Sequence, residues 1–312
     1  MNNEPRTTGH GPRTTDILAL GECMAEFTRA KGGAWNMSFA GDAYNTLVYA
    51  ARLGMKSGFI TCIGDDALAN DMNAAWDNEK IATNNVKTLK NGRTGLYLVS
   101  TDATGERTFD YYRGGSAASQ TLATIPVEKI IAAALKSNVF YFTGITMAVM
   151  CEQDMLVEVL DAISGQTAIA CDMNYRASLW PSRKEFRDAV RMVAPYLSYM
   201  FMSESDLQGM GTTVPLPRAL EHYMKHGTTC IVKCGADGAK YFDHGRLQHA
   251  LIKPIKPVDT TGAGDAFNAG VISGLLLGKS LGEAVSLGNS VAAVVVRYRG
   301  AIVDRKEWNG LF

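Results

Sequence analysis

Short apolar runs alternate with amphipathic stretches along nearly the whole chain, and this alternation restricts the fold more than any other feature. DILALGE (Asp16–Glu22) reads as a buried strand and GDAYNTLVYAARLG (Gly41–Gly54) as a helix. In that helix Tyr44, Leu47, Val48 and Ala51 fall at helical spacing, and Gly54 is placed to end it. SGFITCIG, NVFYFTGI, TAIACDMN, YMFMSE and TTCIVKCG read as further strands, DALANDMNAAWDNE and EQDMLVEVLDAI as helices. Strands separated by helices imply an α/β fold: a mostly parallel central sheet covered on both faces, hence three layers. Ligands of such sheets bind outside the carboxyl ends of the strands.

Two segments break the alternation. GLYLVSTDATGERTFDYYRGG (Gly95–Gly115) has two strand-like runs around the turn-rich DATGE and reads as a hairpin. MAEFTRAKGGAWNMSFAG (Met24–Gly41) is also strand-like, with a Lys-Gly-Gly turn. The expected organisation is a disordered tail over 1–15, an α/β core built from 16–23, 41–91 and 116–312, and a small β-sheet lid from 24–40 and 92–115.

Composition narrows the class of function. With 312 residues, 46% hydrophobic, 20% charged and no formal net charge, the chain reads as an ordinary globular protein, not one built for nucleic acid or an anionic membrane. No apolar run nears the roughly 18 residues of a membrane span, VAAVVV (Val291–Val296) being far too short, and the first residues lack the apolar core of a signal peptide. Six cysteines without a secretion signal imply reduced thiols and a cytoplasmic location.

The stretch KPVDTTGAGDAFNAGVISG (Lys256–Gly274) carries the chemistry. Gly262 and Gly264 let backbone N–H groups approach an oxyanion, and a helix starting near Asp265 adds its positive end. Asp265 then stands beside the anion, where a carboxylate is useful as a general base that takes a proton from an attacking hydroxyl. The plainer reading is a Gly-rich turn with an acid favoured by the helix dipole alone.

The flanking residues extend the pattern. DTTGAGDAFNAG, with the downstream GNSVAAVVV, resembles the carboxy-terminal signature of the ribokinase-like (PfkB) carbohydrate kinases. FAGDAYNTLVYAARLG resembles their amino-terminal signature, although Ala40 stands where the family has the first of two glycines. The resemblance runs from Asp16 onward and implies a ribokinase-like α/β/α sandwich. It also implies an anion hole from Gly262, Ala263 and Gly264, Asp265 as base, and sugar contacts from Gly41 and Asn45. The family's Asn-x-x-Glu motif near metal and phosphates is replaced by Ser203-Glu204-Ser205-Asp206. By the family pattern Ser203, Lys233, Gly235, Gly238 and Asn289 lie near ATP. Mg²⁺ is expected with the phosphates, Asp206 and Asp259 are the candidate protein ligands for a metal, and a monovalent cation such as K⁺ is expected by analogy near Asp259.

In FDYYRGGSA, Tyr111 and Arg113 are two apart and so share one face of a strand, with Tyr97 placed to lie on its partner. Arg176 follows a strand end in CDMNYRASLW. Two arginines and tyrosines converging on one site suit a carboxylate, which a guanidinium grips through paired hydrogen bonds. TGLYL, TGERTF-x-YYR-x-GSA and D-x-NYR-x-x-LW together resemble the 2-keto-3-deoxygluconate kinase branch, which implies a substrate set of Gly41, Tyr97, Tyr111, Arg113 and Arg176. The reaction so implied is phosphorylation of the sugar acid by ATP. The alternatives are a kinase of the same family acting on fructose or another keto-sugar or keto-deoxy acid, and a non-catalytic sugar-acid binder. A homo-oligomer formed through the lid is a further expectation.

Three look-alikes fail. GLLLGKS (Gly274–Ser280) has three residues between its glycines where a P-loop needs four. The Gly262-Ala263-Gly264 run meets Phe267 where a dinucleotide fingerprint needs glycine. His222, His226, Cys230 and Cys234 fall on a helix end and along a strand, so they read as surface and core residues, not as a zinc site.

Overall fold

The computed structural model describes residues 12–29, 32–101, 107–150, 152–212 and 214–311. Its strands are β1 (Thr15–Leu20), β2 (Met24–Arg29), β3 (Trp35–Ala40), β4 (Ser57–Ile63), β5 (Ala82–Thr88), β6 (Leu96–Thr101) and β7 (Arg107–Tyr112). Six more follow: β8 (Ser137–Thr143), β9 (Ala168–Asp172), β10 (Tyr199–Ser203), β11 (Thr229–Lys233), β12 (Ala239–Asp243) and β13 (Arg246–Ala250). Among the described residues nine of these form one sheet in the order β13-β12-β11-β10-β9-β8-β1-β4-β5, parallel except at the β11–β12–β13 end. The other four form a second sheet, β3-β2-β6-β7.

Period-two alternation sorts the core. Ile17 and Ala19 of β1 face one layer, Leu18 and Leu20 the other. Phe140 and Phe142 of β8 join the Leu18 side, Val139 and Tyr141 the Ile17 side. Helices Val127–Ala134, Gln153–Ile163 and Arg183–Val193 cover the first side; Asp42–Arg52, Ala263–Leu276 and Leu281–Val295 cover the second. This is the expected three-layer α/β fold with a smaller sheet.

Some boundaries differ from expectation. Residues 12–15 are attached to the core: Thr15 opens β1, Thr14 N donates to Lys136 O (3.0 Å) and Arg13 reaches Asn138 Oδ1 (3.2 Å). Pairing of β1 with β8 extends to this edge, which fixes them. The rest of the expected tail (1–11), Lys31 of the Lys-Gly-Gly turn and the DATGE turn (Asp102–Glu106) lie outside the described residues.

Helix Ala263–Leu276, which begins at the candidate anion hole, is largely buried and packs closely on Leu281–Val295. A Cβ on Gly270 would lie 2.7 Å from Gly288 Cα, and one on Gly274 2.8 Å from Ala284 Cα. Backbone therefore meets backbone, and neither position can take a side chain without moving the two helices apart. We predict that Gly270→Ala lowers stability by about 1–3 kcal/mol through overpacking, although helix propensity alone favours alanine by about 1 kcal/mol. Urea unfolding measures the sign; a gain in stability would show that the helices separate without cost.

Candidate active site

The start of helix Ala263–Leu276 is set by Gly262, whose φ of 76° is the left-handed conformation that glycine adopts freely. A Cβ there would also sit 2.4 Å from Ala301 O, so the turn can be built only without a side chain. Ala263 N donates to Thr260 O (3.2 Å), and the other N–H groups of the first turn point out of the helix end. A Cβ on Gly264 would stand 3.3 Å from Lys233 Nζ, which places a cation against the same end. Amides, helix dipole and ammonium together make a site for an anion.

Asp265 lies in the first turn, at the base of a cleft of about 740 Å³. Its Oδ2 accepts from Asn45 Nδ2 (2.8 Å), and Asn45 Oδ1 accepts from Gly41 N (3.3 Å). Gly41 caps helix Asp42–Arg52, and a Cβ on it would strike Glu22 O at 2.3 Å. Burial, then repulsion from Asp42, raises the Asp265 pKa to about 8; Asp172 also raises it, while the Asn45 hydrogen bond and Lys233 pull it down. Asp42 Oδ2 is held by Asn174 Nδ2 (2.8 Å). Asp172 Oδ2, at the carboxyl end of β9, accepts from Lys233 Nζ (2.6 Å) and Asn268 Nδ2 (2.6 Å).

The lid sheet closes the other side. Tyr97 on β6 and Tyr111 on β7 are direct cross-strand partners with rings 5.4 Å apart. Tyr97 OH donates to Glu26 Oε2 (2.5 Å), so its hydroxyl is already engaged. The Arg113 guanidinium stacks 4.3 Å from the Tyr111 ring, and its NH1 pairs with Glu22 Oε1 at 2.5 Å. Burial raises the Glu22 carboxyl to about 7, against the pull of Arg113. Arg176 is exposed at the rim of the same cleft and donates to Tyr175 O (3.1 Å). The cleft thus gathers Gly41, Asn45, Tyr97, Tyr111, Arg113, Arg176, Ser203 and Asp265.

A second cavity of about 250 Å³ adjoins it, lined by Ile252, Ile255, Pro257, Ala263, Phe267 and Asn289. Lys233, Gly235, Thr260 and Gly264 border both, so the two meet at the anion site. Gly238 also lines the smaller one, where a Cβ would meet Ala250 O at 2.1 Å.

The two carboxylates named as candidates for a metal both carry hydrogen bonds. Asp206 closes a capping box with Ser203, and its oxygens accept from Ser203 N, Ser203 Oγ and Tyr175 N. Asp259 Oδ1 accepts from Thr261 N and Oγ1, and Oδ2 from Gly300 N and Arg107 NH1. Both oxygens of Asp259 thus have two donors each, while Asp206 Oδ1 has one. Among the described residues no group of three or more His, Cys, Asp or Glu could hold a metal ion. Cys230 is buried in β11, as its alternation indicates.

The sequence matches the model of the pfkB family carbohydrate kinases over residues 14–308. The chain belongs to that family. The 2-dehydro-3-deoxygluconokinase of Haemophilus influenzae is 34% identical over 93% of this chain and 96% of its own, and that of Escherichia coli K12 30% identical over 93% and 97%. A probable fructokinase of Arabidopsis thaliana is 26% identical, covering 92% and 89%. The crystal structure of the Thermotoga maritima 2-dehydro-3-deoxygluconokinase superposes with a TM-score of 0.83 over 97% of this chain and 99% of that one, at 20% identity. An E. coli protein solved with ATP and magnesium superposes with a TM-score of 0.79 over 92% and 94%, at 23% identity.

Several residues of this carbohydrate kinase escaped the sequence reading: Glu22, Asp42, Asp172, Asn174 and Asn268. Three had a usable signal, since Glu22 lies two residues past β1 and Asp172 ends β9, both at the carboxyl edge of the sheet, and Asp42 follows Gly41 directly. The raised Asp265 carboxyl gives a pH prediction. A base with a pKa near 8 is mostly protonated at lower pH, so kcat/KM should rise about tenfold per unit up to about pH 8 and then level off. Asp42→Asn removes a like charge and should move this limb about one unit toward lower pH. A profile flat from pH 6 to 9 in both enzymes would contradict the assignment.

Proposed function

We propose that this carbohydrate kinase transfers the γ-phosphoryl of ATP to the primary hydroxyl of 2-keto-3-deoxygluconate, giving the 6-phosphate. The observation that carries the reading is one cleft lined by Asp265 at a helix start and by Arg113 and Arg176. The names of its 30–34% identical relatives support the same substrate. Arg113 Nε is buried with no partner among the described residues, a donor that a sugar-acid oxygen would satisfy. Asp265 would take the hydroxyl proton as the oxygen attacks, and the amides following Gly262 would bind the phosphoryl oxygens in transit.

ATP fits the pair of cavities, with the base in the apolar slot by Phe267 and Asn289 and the phosphates toward Gly235, Lys233 and Gly264. Ser203, which caps its helix at the edge of the larger cleft, is on the phosphate side. Magnesium would arrive with the nucleotide, largely on phosphate and water ligands, and neutralise phosphate charge. We place the enzyme in the cytoplasm: Cys23, Cys62, Cys171, Cys230 and Cys234 are free thiols, and no described helix is long and apolar enough to cross a membrane. Self-association through the lid belongs to the same proposal, supported by exposed Trp35, Met37 and Tyr112.

One observation favours a second reading. Glu22 offsets much of the Arg113 charge, which is more compatible with a neutral keto-sugar such as fructose. Coupled ADP release with 2-keto-3-deoxygluconate, fructose, ribose and gluconate separates the two. Turnover should be confined to the keto-deoxy acid and fall about 10²–10⁴-fold in Asp265→Asn. Arg176→Gln should raise KM for the acid by about 10–100-fold, the loss of a charged hydrogen bond. Equal turnover of fructose would replace the acid by a neutral sugar; ADP release independent of Asp265 would remove the base.

A further inference from the structure

β7 presents Arg107, Phe109, Tyr111 and the following Arg113 at two-residue intervals, so all four share one face. Phe109, Tyr111 and Arg113 line the sugar side of the cleft. Arg107, at the other end of the strand, reaches the loop that precedes the anion site. Its NH1 lies 2.7 Å from Asp259 Oδ2 and donates to Thr261 Oγ1 at 3.1 Å. Asp259 is largely buried, its side chain 7% exposed.

Asp259 organises this loop. Oδ1 accepts from Thr261 N (3.1 Å) and Thr261 Oγ1 (2.8 Å), which holds the turn just before Gly262. Oδ2 accepts from Gly300 N (2.7 Å), which anchors the segment whose Ala301 O lies under Gly262. With Arg107 added, each oxygen has two donors, the normal capacity of a carboxylate oxygen. Burial raises the Asp259 carboxyl, but the Gly300 and Thr261 hydrogen bonds and the Arg107 charge hold it below the usual range, so it stays ionised. A buried anion of this kind needs a cation beside it, and Arg107 is the cation supplied.

We propose that Arg107 is a positioning residue that locks the lid onto the anion-site loop and takes at Asp259 the place a monovalent cation would otherwise fill, so that phosphoryl transfer needs no such ion. The proposal rests on the chain being a carbohydrate kinase, not on which sugar it phosphorylates. Without Arg107 the Asp259 Oδ2 is left with one donor, the loop loosens, and the amides beyond Gly262 lose their aim. K⁺ in solution, or free guanidinium, can then enter the vacated position.

Wild type, Arg107→Ala and Arg107→Lys should be compared in potassium, sodium and tetramethylammonium chloride at equal ionic strength. Two readouts are taken: steady-state kinetics with the best acceptor, and melting temperature without substrate. Wild type should be indifferent to the cation in both. Arg107→Ala should lose up to about 10²-fold, mainly in kcat, as expected when reacting groups are misplaced by about 1 Å, and should melt lower. K⁺ or guanidinium should recover part of both losses in Arg107→Ala, while Arg107→Lys keeps the charge and should lose less. Strong K⁺ activation of wild type would overturn the proposal, as would wild-type rates for Arg107→Ala in tetramethylammonium. If no acceptor sugar is found, the melting data still decide: wild type stabilised by K⁺ as much as Arg107→Ala would refute it. That outcome is separate from a failure of the substrate assignment.

Discussion

The structure turns on one electrostatic constraint: four carboxylates, Asp42, Asp172, Asp206 and Asp265, are gathered at one edge of the sheet with Lys233 as the close cation. β9 and β11 are separated by β10, so the Lys233–Asp172 pair spans the sheet edge and ties three strands together. Removing one partner of a buried pair costs about 3–5 kcal/mol because the other charge is left alone. Asparagines carry the rest: Asn45 on Asp265, Asn174 on Asp42, Asn268 on Asp172. Amides hold these carboxylates without neutralising them, and burial with the surplus negative charge raises the Asp265 carboxyl to about 8. In the proposed role of general base such a value is favourable, since a base works best when its pKa is near the working pH.

How much of this could be read in advance depends on how far each signal reaches along the chain. Gly262, Gly264 and Asp265 are neighbours, and their geometry follows from local backbone rules, so the anion site was legible. Tyr97, Tyr111 and Arg113 follow from strand periodicity and a hairpin register, and both are found as expected. β5 was missed because ATNNVKT is a polar edge strand with little buried on either face. β12 and β13 were missed because their turn at His244 and Gly245, both at positive φ, lies in a polar stretch. Glu22 with Arg113 and Arg107 with Thr261 are 91 and 154 residues apart. No periodicity spans such distances. The donors around Asp206 and Asp259 were hidden for a related reason: they come together only once the loops are folded.

The two arginines of the lid strand share a further consequence. Arg113 and Arg107 stand near opposite ends of β7, separated by roughly 20 Å at the rise of an extended strand. Each meets a carboxylate of the core, the fully buried Glu22 at one end and the partly buried Asp259 at the other. Two fixed points on one strand define its tilt as well as its position, so the lid has one seated orientation over the cleft. The pairs differ in the way the chemistry requires. Burial outweighs Arg113 at Glu22 and leaves that carboxyl near neutrality, so the sugar end can change its charge state and hydrogen bonding as different oxygens arrive. At Asp259 the hydrogen bonds and Arg107 outweigh burial, so the phosphate end remains ionised and rigid. An adaptable contact at one end and an unyielding one at the other suit the role proposed above, in which a sugar is admitted, water excluded and the amides held still during transfer.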